Sequence, residues 1–194
     1  AAENPPPYDL QKELHRTLPD FIVHVPTWRQ GPLGDTGNEH LLVFDGPDGS
    51  LMAVWTQSTF EGTQDQHIAF SRSDDEGKSW TTPRTVAGPD PNTGTKMASW
   101  GFPMVSRSGR IYLLFNRHTG VNDLWPPLTG TMGGCYSDDN GKTWSTVEDV
   151  PMARNQYDNP DASFPTNWII WQKPERLSEG KYFAGFTHWF SAAV

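Results

Sequence analysis

The sequence predicts an all-β fold built from four-stranded antiparallel sheets, and three observations carry that expectation. The composition combines 12% aromatic residues, nine of them Trp and ten Phe, with eighteen Gly and seventeen Pro, which suits short strands and tight turns better than long helices. Short β-type runs alternate with turn residues along most of the chain. An octapeptide that starts at Ser73 recurs at Ser137, 64 residues later, with its surroundings.

Residues 1–20 read as a lead-in, with Pro5-Pro6-Pro7 followed by a charged stretch, Asp9 to Arg16, long enough for one or two helical turns before Pro19. From residue 21 to 194 the chain reads as one β domain. Its expected strands are Phe21–Val25, Leu41–Phe44, Leu51–Gln57, His67–Arg72, Arg84–Ala87, Met104–Ser106, Ile111–Asn116, Gly133–Ser137 and Tyr182–Thr187. Gly46-Pro47-Asp48-Gly49, Ser106-Arg107-Ser108-Gly109 and Asp139-Asn140-Gly141 place glycine where a turn needs positive φ. Ser163 to Trp171, followed by Tyr182 to Trp189, reads as the opening hairpin of a third unit.

The two octapeptides, Ser73-Asp74-Asp75-Glu76-Gly77-Lys78-Ser79-Trp80 and Ser137-Asp138-Asp139-Asn140-Gly141-Lys142-Thr143-Trp144, share the pattern Ser-x-Asp-x-Gly-Lys-Ser/Thr-Trp. Ser and Asp accept backbone N–H groups across a turn, Gly takes the left-handed conformation, and Trp returns to the sheet. Each copy follows a Gly-tipped hairpin, so one unit reads as a four-stranded sheet of the kind that forms a propeller blade. Clustered carboxylates on a turn also suit a hard cation such as calcium, but the hairpin staple is the preferred reading.

A net charge of -8 and a pI near 5.1 leave no basic surface for a nucleic-acid backbone. The single cysteine, Cys135, excludes an internal disulfide framework and a Cys-rich zinc site. No apolar run approaches the roughly twenty residues of a membrane helix, so no membrane partner is expected. No cofactor and no metal are expected either. The opening Ala1-Ala2-Glu3-Asn4 suits a position just after a signal cleavage site, which points to a secreted or periplasmic protein.

The octapeptides resemble Asp boxes, also called BNR repeats, which lie between the third and fourth strands of blades in sialidases and related propellers. The resemblance implies that residues 21–194 are the N-terminal part of a sialidase-like β-propeller. About three blades of a five- to seven-bladed whole would be present, the remainder supplied by further chain, a second chain or an oligomeric partner. It also implies that the boxes lie away from the active face.

In sialidases the first innermost strand carries a Phe/Tyr-Arg-Ile-Pro motif whose arginine holds the sialic-acid carboxylate; Val23-His24-Val25-Pro26 is read as the corresponding stretch. An imidazole cannot grip a carboxylate through two parallel hydrogen bonds as a guanidinium does, which argues against a true sialidase. Histidine there resembles the α-L-rhamnosidases and rhamnose-glucuronate lyases, in which histidine has been given catalytic work. The expected catalytic residues are therefore His24, as acid or base near neutral pH, and Glu61 and Asp65, which lie where the family places its acid/base aspartate. A hydrogen-bonded core role for His24 and a solvated loop for the carboxylates are the bland alternatives.

Arg29, His67, Trp100, Arg117, His118 and His188 are expected at the substrate, because they end or flank strands where blade loops gather; for Trp100, packing between blades is the safer expectation. The expected function is a secreted, exo-acting glycoside hydrolase removing a terminal sugar from a glycan or polysaccharide. A polysaccharide lyase acting next to a uronate, and a non-catalytic glycan- or protein-binding propeller, are the alternatives on the same scaffold.

Overall fold

The computed structural model describes residues 19–29, 32–118, 130–162 and 168–188. The expected helical turn at Asp9 to Arg16, and residues 163–167 and Trp189 of the expected third hairpin, lie outside them. Gly49 and Gly109 tip the first hairpin of two successive sheets at φ 85° and 88°, the left-handed conformation glycine adopts without a Cβ clash. The first sheet is β1 (Gly37–Asp45), β2 (Leu51–Ser58), β3 (His67–Ser73) and β4 (Arg84–Ala87), in that spatial order and antiparallel throughout. The second repeats it with β5 (Ala98–Val105), β6 (Ile111–His118), β7 (Gly130–Ser137) and β8 (Glu148–Asp149).

A third hairpin follows. β9 (Trp168–Ile170) pairs with β12 (Phe186–His188), and β10 (Glu175–Arg176) pairs with β11 (Tyr182–Phe183) across a 3-10 turn at Ser178–Gly180. The run expected as one strand, Tyr182–Thr187, is thus split between two partners. Alternation places the core: Phe44, Met52, Val54, Ile68 and Phe70 face Ile111, Leu113 and Phe115 of the second sheet. Phe102, Met132, Ile169 and Ile170 form the next layer, between the second sheet and the third hairpin. Cys135 belongs to the first layer, and burial pushes its thiol up to about 12.

Each octapeptide joins the third strand of its sheet to the fourth. Gly77 N–H donates to Ser73 Oγ at 2.8 Å, and Ser79 N–H and Oγ donate to the Asp75 carboxylate at 2.8 and 2.5 Å. The second copy repeats this, with Gly141 N–H on Ser137 Oγ at 2.9 Å and Thr143 on Asp139 at 2.8 and 2.5 Å. The fourth and fifth residues of each copy, Glu76-Gly77 and Asn140-Gly141, both have positive φ. The second copy also docks on the first sheet, where Arg72 donates to the Asn140 carbonyl at 3.2 Å and Trp144 meets Phe70 edge-on at 5.4 Å.

Two expectations are corrected. Phe21–Val25 is not a strand: Pro19 and Pro26 bracket it and remove ladder donors, and the following amides of Thr27 and Arg29 donate to the Asp35 carboxylate instead of a neighbouring strand. The segment lies across the outer face of the first sheet, where Val23 packs on Ala53, Trp55 and Ala69 while Phe21, Ile22 and Val25 stay exposed. The first strand is therefore Gly37–Asp45, so Val23-His24-Val25-Pro26 does not stand on it. The strand expected at Met104–Ser106 is the end of the longer Ala98–Val105, an edge strand that tolerates Pro103.

Candidate functional site

The octapeptides sit at one end of the sheets, and most of the expected site residues lie at the other, where β2 and β6 end and β1, β3 and β5 begin. Register aligns the sheets residue by residue. Leu42 pairs with Val54 and Phe102 with Leu114; before each pair lies a bulge, and before that Glu39 pairs with Thr56 and Ser99 with Asn116. The bulges contain His40 and Trp100, both non-glycine residues at positive φ, 55° and 57°. The Trp100 N–H crosses between sheets to donate to Thr56 Oγ1 at 2.8 Å.

Glu39 follows the alternation of Val54 and Thr56, which places it on the side of the first sheet that faces the second. Burial, and then the charge of Glu61, push its carboxyl above the ordinary range, and its Oε1 is buried with no hydrogen-bond partner among the described residues. His40 Nδ1 stands 3.8 Å from Glu39 Oε2. Burial lowers the His40 pKa and outweighs the opposing pull of Glu61, so the ring is neutral near pH 7. Glu61 is exposed and acts electrostatically on both. One expected residue, Glu61, thus lies within electrostatic reach of two that carry no sequence motif, Glu39 and His40.

Asp65 holds its loop. It accepts from Gly34 N–H and Thr59 N–H at 2.8 Å each, from Thr59 Oγ1 at 2.7 Å, and from the Thr63 hydroxyl. Burial opposes its ionisation, but these bonds outweigh burial and keep the carboxyl below its usual range. His67 is buried behind the same loop, with Nδ1 2.8 Å from the Asp65 carbonyl, and burial lowers its pKa.

His24 lies on the opposite face of the first sheet, stacked on Trp55 at 5.9 Å in a hollow of about 440 Å³ lined by Phe21, Ile22, Leu41 and Asn38. Its Nε2 is 3.9 Å from Asp35 Oδ2, too long for a hydrogen bond, and desolvation lowers its pKa. Asp35, 2% exposed, already accepts Thr27 N–H, Thr27 Oγ1 and Arg29 N–H at 2.9, 2.6 and 2.7 Å. Arg29 Nε donates to the Leu33 carbonyl at 2.7 Å.

Farther along, Arg117 pairs with Asp149 at 2.9 Å, and the buried His118 ends β6 with its N–H on the Met97 carbonyl. His188 Nε2 lies 3.3 Å from Asp158 and its ring meets Trp168 at 4.5 Å. Trp100, 7% exposed, packs in the second core layer, with edge contacts to His40 at 6.0 Å and Trp171 at 5.0 Å. Of the nine expected residues, Glu61 acts electrostatically on Glu39 and His40 as a first group, Trp100 touches His40, Asp65 joins His67, and His24 and Arg29 share Asp35, while Arg117, His118 and His188 each have other partners. Among the described residues no three His, Cys, Asp or Glu side chains come together as metal ligands. Chemically, the first group offers a carboxyl inclined to keep its proton, a neutral imidazole and a second carboxylate, the elements of proton transfer to and from a bound group.

Among solved structures, the Hadza microbial sialidase Hz136 is 20% identical, with a TM-score of 0.48 over 59% of this chain and 26% of its own. The polysaccharide lyase Uly1 is 25% identical, with a TM-score of 0.41 over 54% of this chain and 22% of its own. A protein of unknown function from Dyadobacter fermentans DSM 18053 is 15% identical, with a TM-score of 0.42 over 80% and 38%. The chain therefore spans between 22% and 38% of the length of these three proteins. No curated protein sequence matches it. The profile of the BNR repeat-like domain, however, matches residues 49–192, a stretch that contains both octapeptides and the third hairpin, and the chain belongs to that family.

Proposed function

We propose that this chain is part of a secreted or periplasmic carbohydrate-active enzyme, an exo-acting glycoside hydrolase that removes a terminal sugar from a glycan or polysaccharide. In this reading the two sheets and the third hairpin are successive blades of a propeller, completed by further chain or by a partner. The observation that carries the chemistry is Glu39, a half-buried carboxyl with an unpartnered Oε1 that burial raises above its usual range, within electrostatic reach of the exposed Glu61. Two carboxyl groups with unlike environments are what glycoside hydrolysis needs.

Glu39, protonated, donates its proton to the glycosidic oxygen as the bond to the anomeric carbon breaks. Glu61 supports the positive charge that develops on the sugar and accepts a proton from the attacking water. For the next turnover Glu61 releases its proton to solvent, and His40 beside Glu39 takes up a proton from solvent and passes it to the Glu39 carboxylate. This gives the donor role to Glu39 rather than to His24, which lies on the other face of the first sheet. Asp65 keeps the Glu61 loop in place.

The test is product analysis after incubation with a panel of glycans. Release of a free terminal sugar with a new reducing end supports hydrolysis. An unsaturated uronate product supports lyase action instead, and binding without any product supports a glycan-binding role.

A further inference from the structure

Resting on the reading that the chain acts on carbohydrate, we propose that Trp28 and Phe60 form an aromatic subsite next to the Glu61 loop, where the indole stacks on a pyranose ring of a bound glycan. Trp28 is 79% exposed, more than any other large apolar side chain among the described residues, and its φ is 61°. A bulky residue rarely takes that left-handed conformation. No packing offsets the strain, because Trp28 belongs to none of the core clusters. Stability alone would favour glycine or asparagine at this position. A strained residue that turns a large apolar ring to solvent is accounted for by something the ring binds.

Asp35 sets the conformation. Its carboxylate, 2% exposed, accepts the amides on both sides of the indole, Thr27 N–H at 2.9 Å and Arg29 N–H at 2.7 Å, together with the Thr27 hydroxyl at 2.6 Å. The Asp35 N–H donates back to the Arg29 carbonyl at 3.1 Å. Arg29 Nε donates to the Leu33 carbonyl at 2.7 Å. The backbone is therefore fixed before and after Trp28, and a sugar ring that stacks there spends little binding energy on ordering the turn.

The same turn is tied to the loop that carries Glu61. Gly34 N–H and Thr59 N–H both donate to Asp65 Oδ2 at 2.8 Å, and the Thr36 hydroxyl donates to the Thr59 carbonyl at 2.5 Å. A Cβ at Gly34 would lie 2.1 Å from Thr59 Oγ1, so the two loops touch. Phe60, 62% exposed, comes next in the chain and Glu61 follows it. Two open aromatic rings thus stand on joined loops, one of them adjacent in sequence to the Glu61 carboxylate, at the strand end that also carries Glu39. An oligosaccharide matches that layout: its rings offer apolar faces to aromatic side chains while its hydroxyls stay in water.

The test is affinity gel electrophoresis of the intact chain through soluble xyloglucan, galactan, glucomannan, polygalacturonate and mucin, with sugar release followed on the same polymers. At least one polymer is expected to retard the protein. The same polymer is expected to slow the oxidation of Trp28 by N-bromosuccinimide, read from the mass of the peptide that contains it. Trp28→Gly is expected to weaken this binding by about tenfold, Trp28→Phe by less and Phe60→Ala by a few-fold. Because glycine relieves the strain, the thermal midpoint of Trp28→Gly is expected to stay at or above that of the wild type. Failure of every polymer to bind, an oxidation rate at Trp28 that bound polymer leaves unchanged, or a Trp28→Gly variant that binds as the wild type does overturns the proposal. So does a fall in the midpoint of that variant, which would make Trp28 a residue of the fold. Glycan bound at Trp28 without any sugar released would support the subsite and contradict hydrolysis; sugar released with binding indifferent to Trp28→Gly would do the reverse.

Discussion

His40 and Trp100 hold the same place in successive sheets, each in a bulge at positive φ, and their rings meet edge to face at 6.0 Å. The contact aligns the strand ends that carry Glu39 with those that carry Ser99. Beneath it, the Trp100 N–H donates to Thr56 Oγ1 in a buried setting. Thr56→Val removes the acceptor and strands the donor, so it is expected to cost about 1–3 kcal/mol in chemical denaturation. Thr56→Ser, which keeps the hydroxyl, is expected to cost less.

Gly141 and Gly49 share positive φ but differ in surroundings. A Cβ at Gly141 would lie 2.5 Å from Phe70 Cζ, a core ring, whereas one at Gly49 meets nothing within 4 Å. Gly49→Ala carries backbone strain alone, about 1–2 kcal/mol, and Gly141→Ala adds overpacking of about 1–3 kcal/mol. Denaturant midpoints are expected to rank wild type, Gly49→Ala, then Gly141→Ala.

Asp75 and Asp139 are both held down to about 2, chiefly by the hydroxyls and amides of Ser79 and Thr143. A folded-state pKa below the unfolded value contributes stability above the unfolded pKa and loses it as the pH falls through the folded one. Thermal midpoints are expected to drop as the pH falls from about 4 to about 2, and the double variant Asp75→Asn, Asp139→Asn is expected to flatten that dependence.

The same reasoning sets the pH dependence of turnover. A general acid works while protonated, so kcat is expected to fall as the pH rises through the raised pKa of Glu39. Burial is the main cause of that shift and Glu61 the second. Glu61→Gln is therefore expected to move the alkaline limb of any residual activity to lower pH, and a limb that stays in place would separate the two residues.

The sheets were legible because their signals are local. Gly49, Gly109 and the two octapeptides mark fixed points of each unit, and Leu51–Gln57 and Ile111–Asn116 are apolar enough to mark central strands. Phe21–Val25 looks equally strand-like, yet whether an apolar run joins a ladder depends on partner edges and donors, and Pro19 and Pro26 withhold those. Glu61 was found because a resemblance directed attention to its loop. Glu39 and His40 went unnoticed because two polar residues before a strand carry no motif; only the register with Thr56, the bulge and the neighbouring sheet give them a setting. The clamp of Asp35 on the amides beside Trp28 is likewise invisible until the fold is known.

The most direct test of the central claim is the rate of terminal-sugar release by Glu39→Gln, measured on a substrate the wild-type protein cleaves. Glutamine keeps the shape and removes the proton donor. The rate is expected to fall by about a hundredfold or more, with circular dichroism and thermal midpoint preserved. A Glu39→Gln variant that releases sugar at the wild-type rate would contradict the assignment of this strand end as the catalytic site.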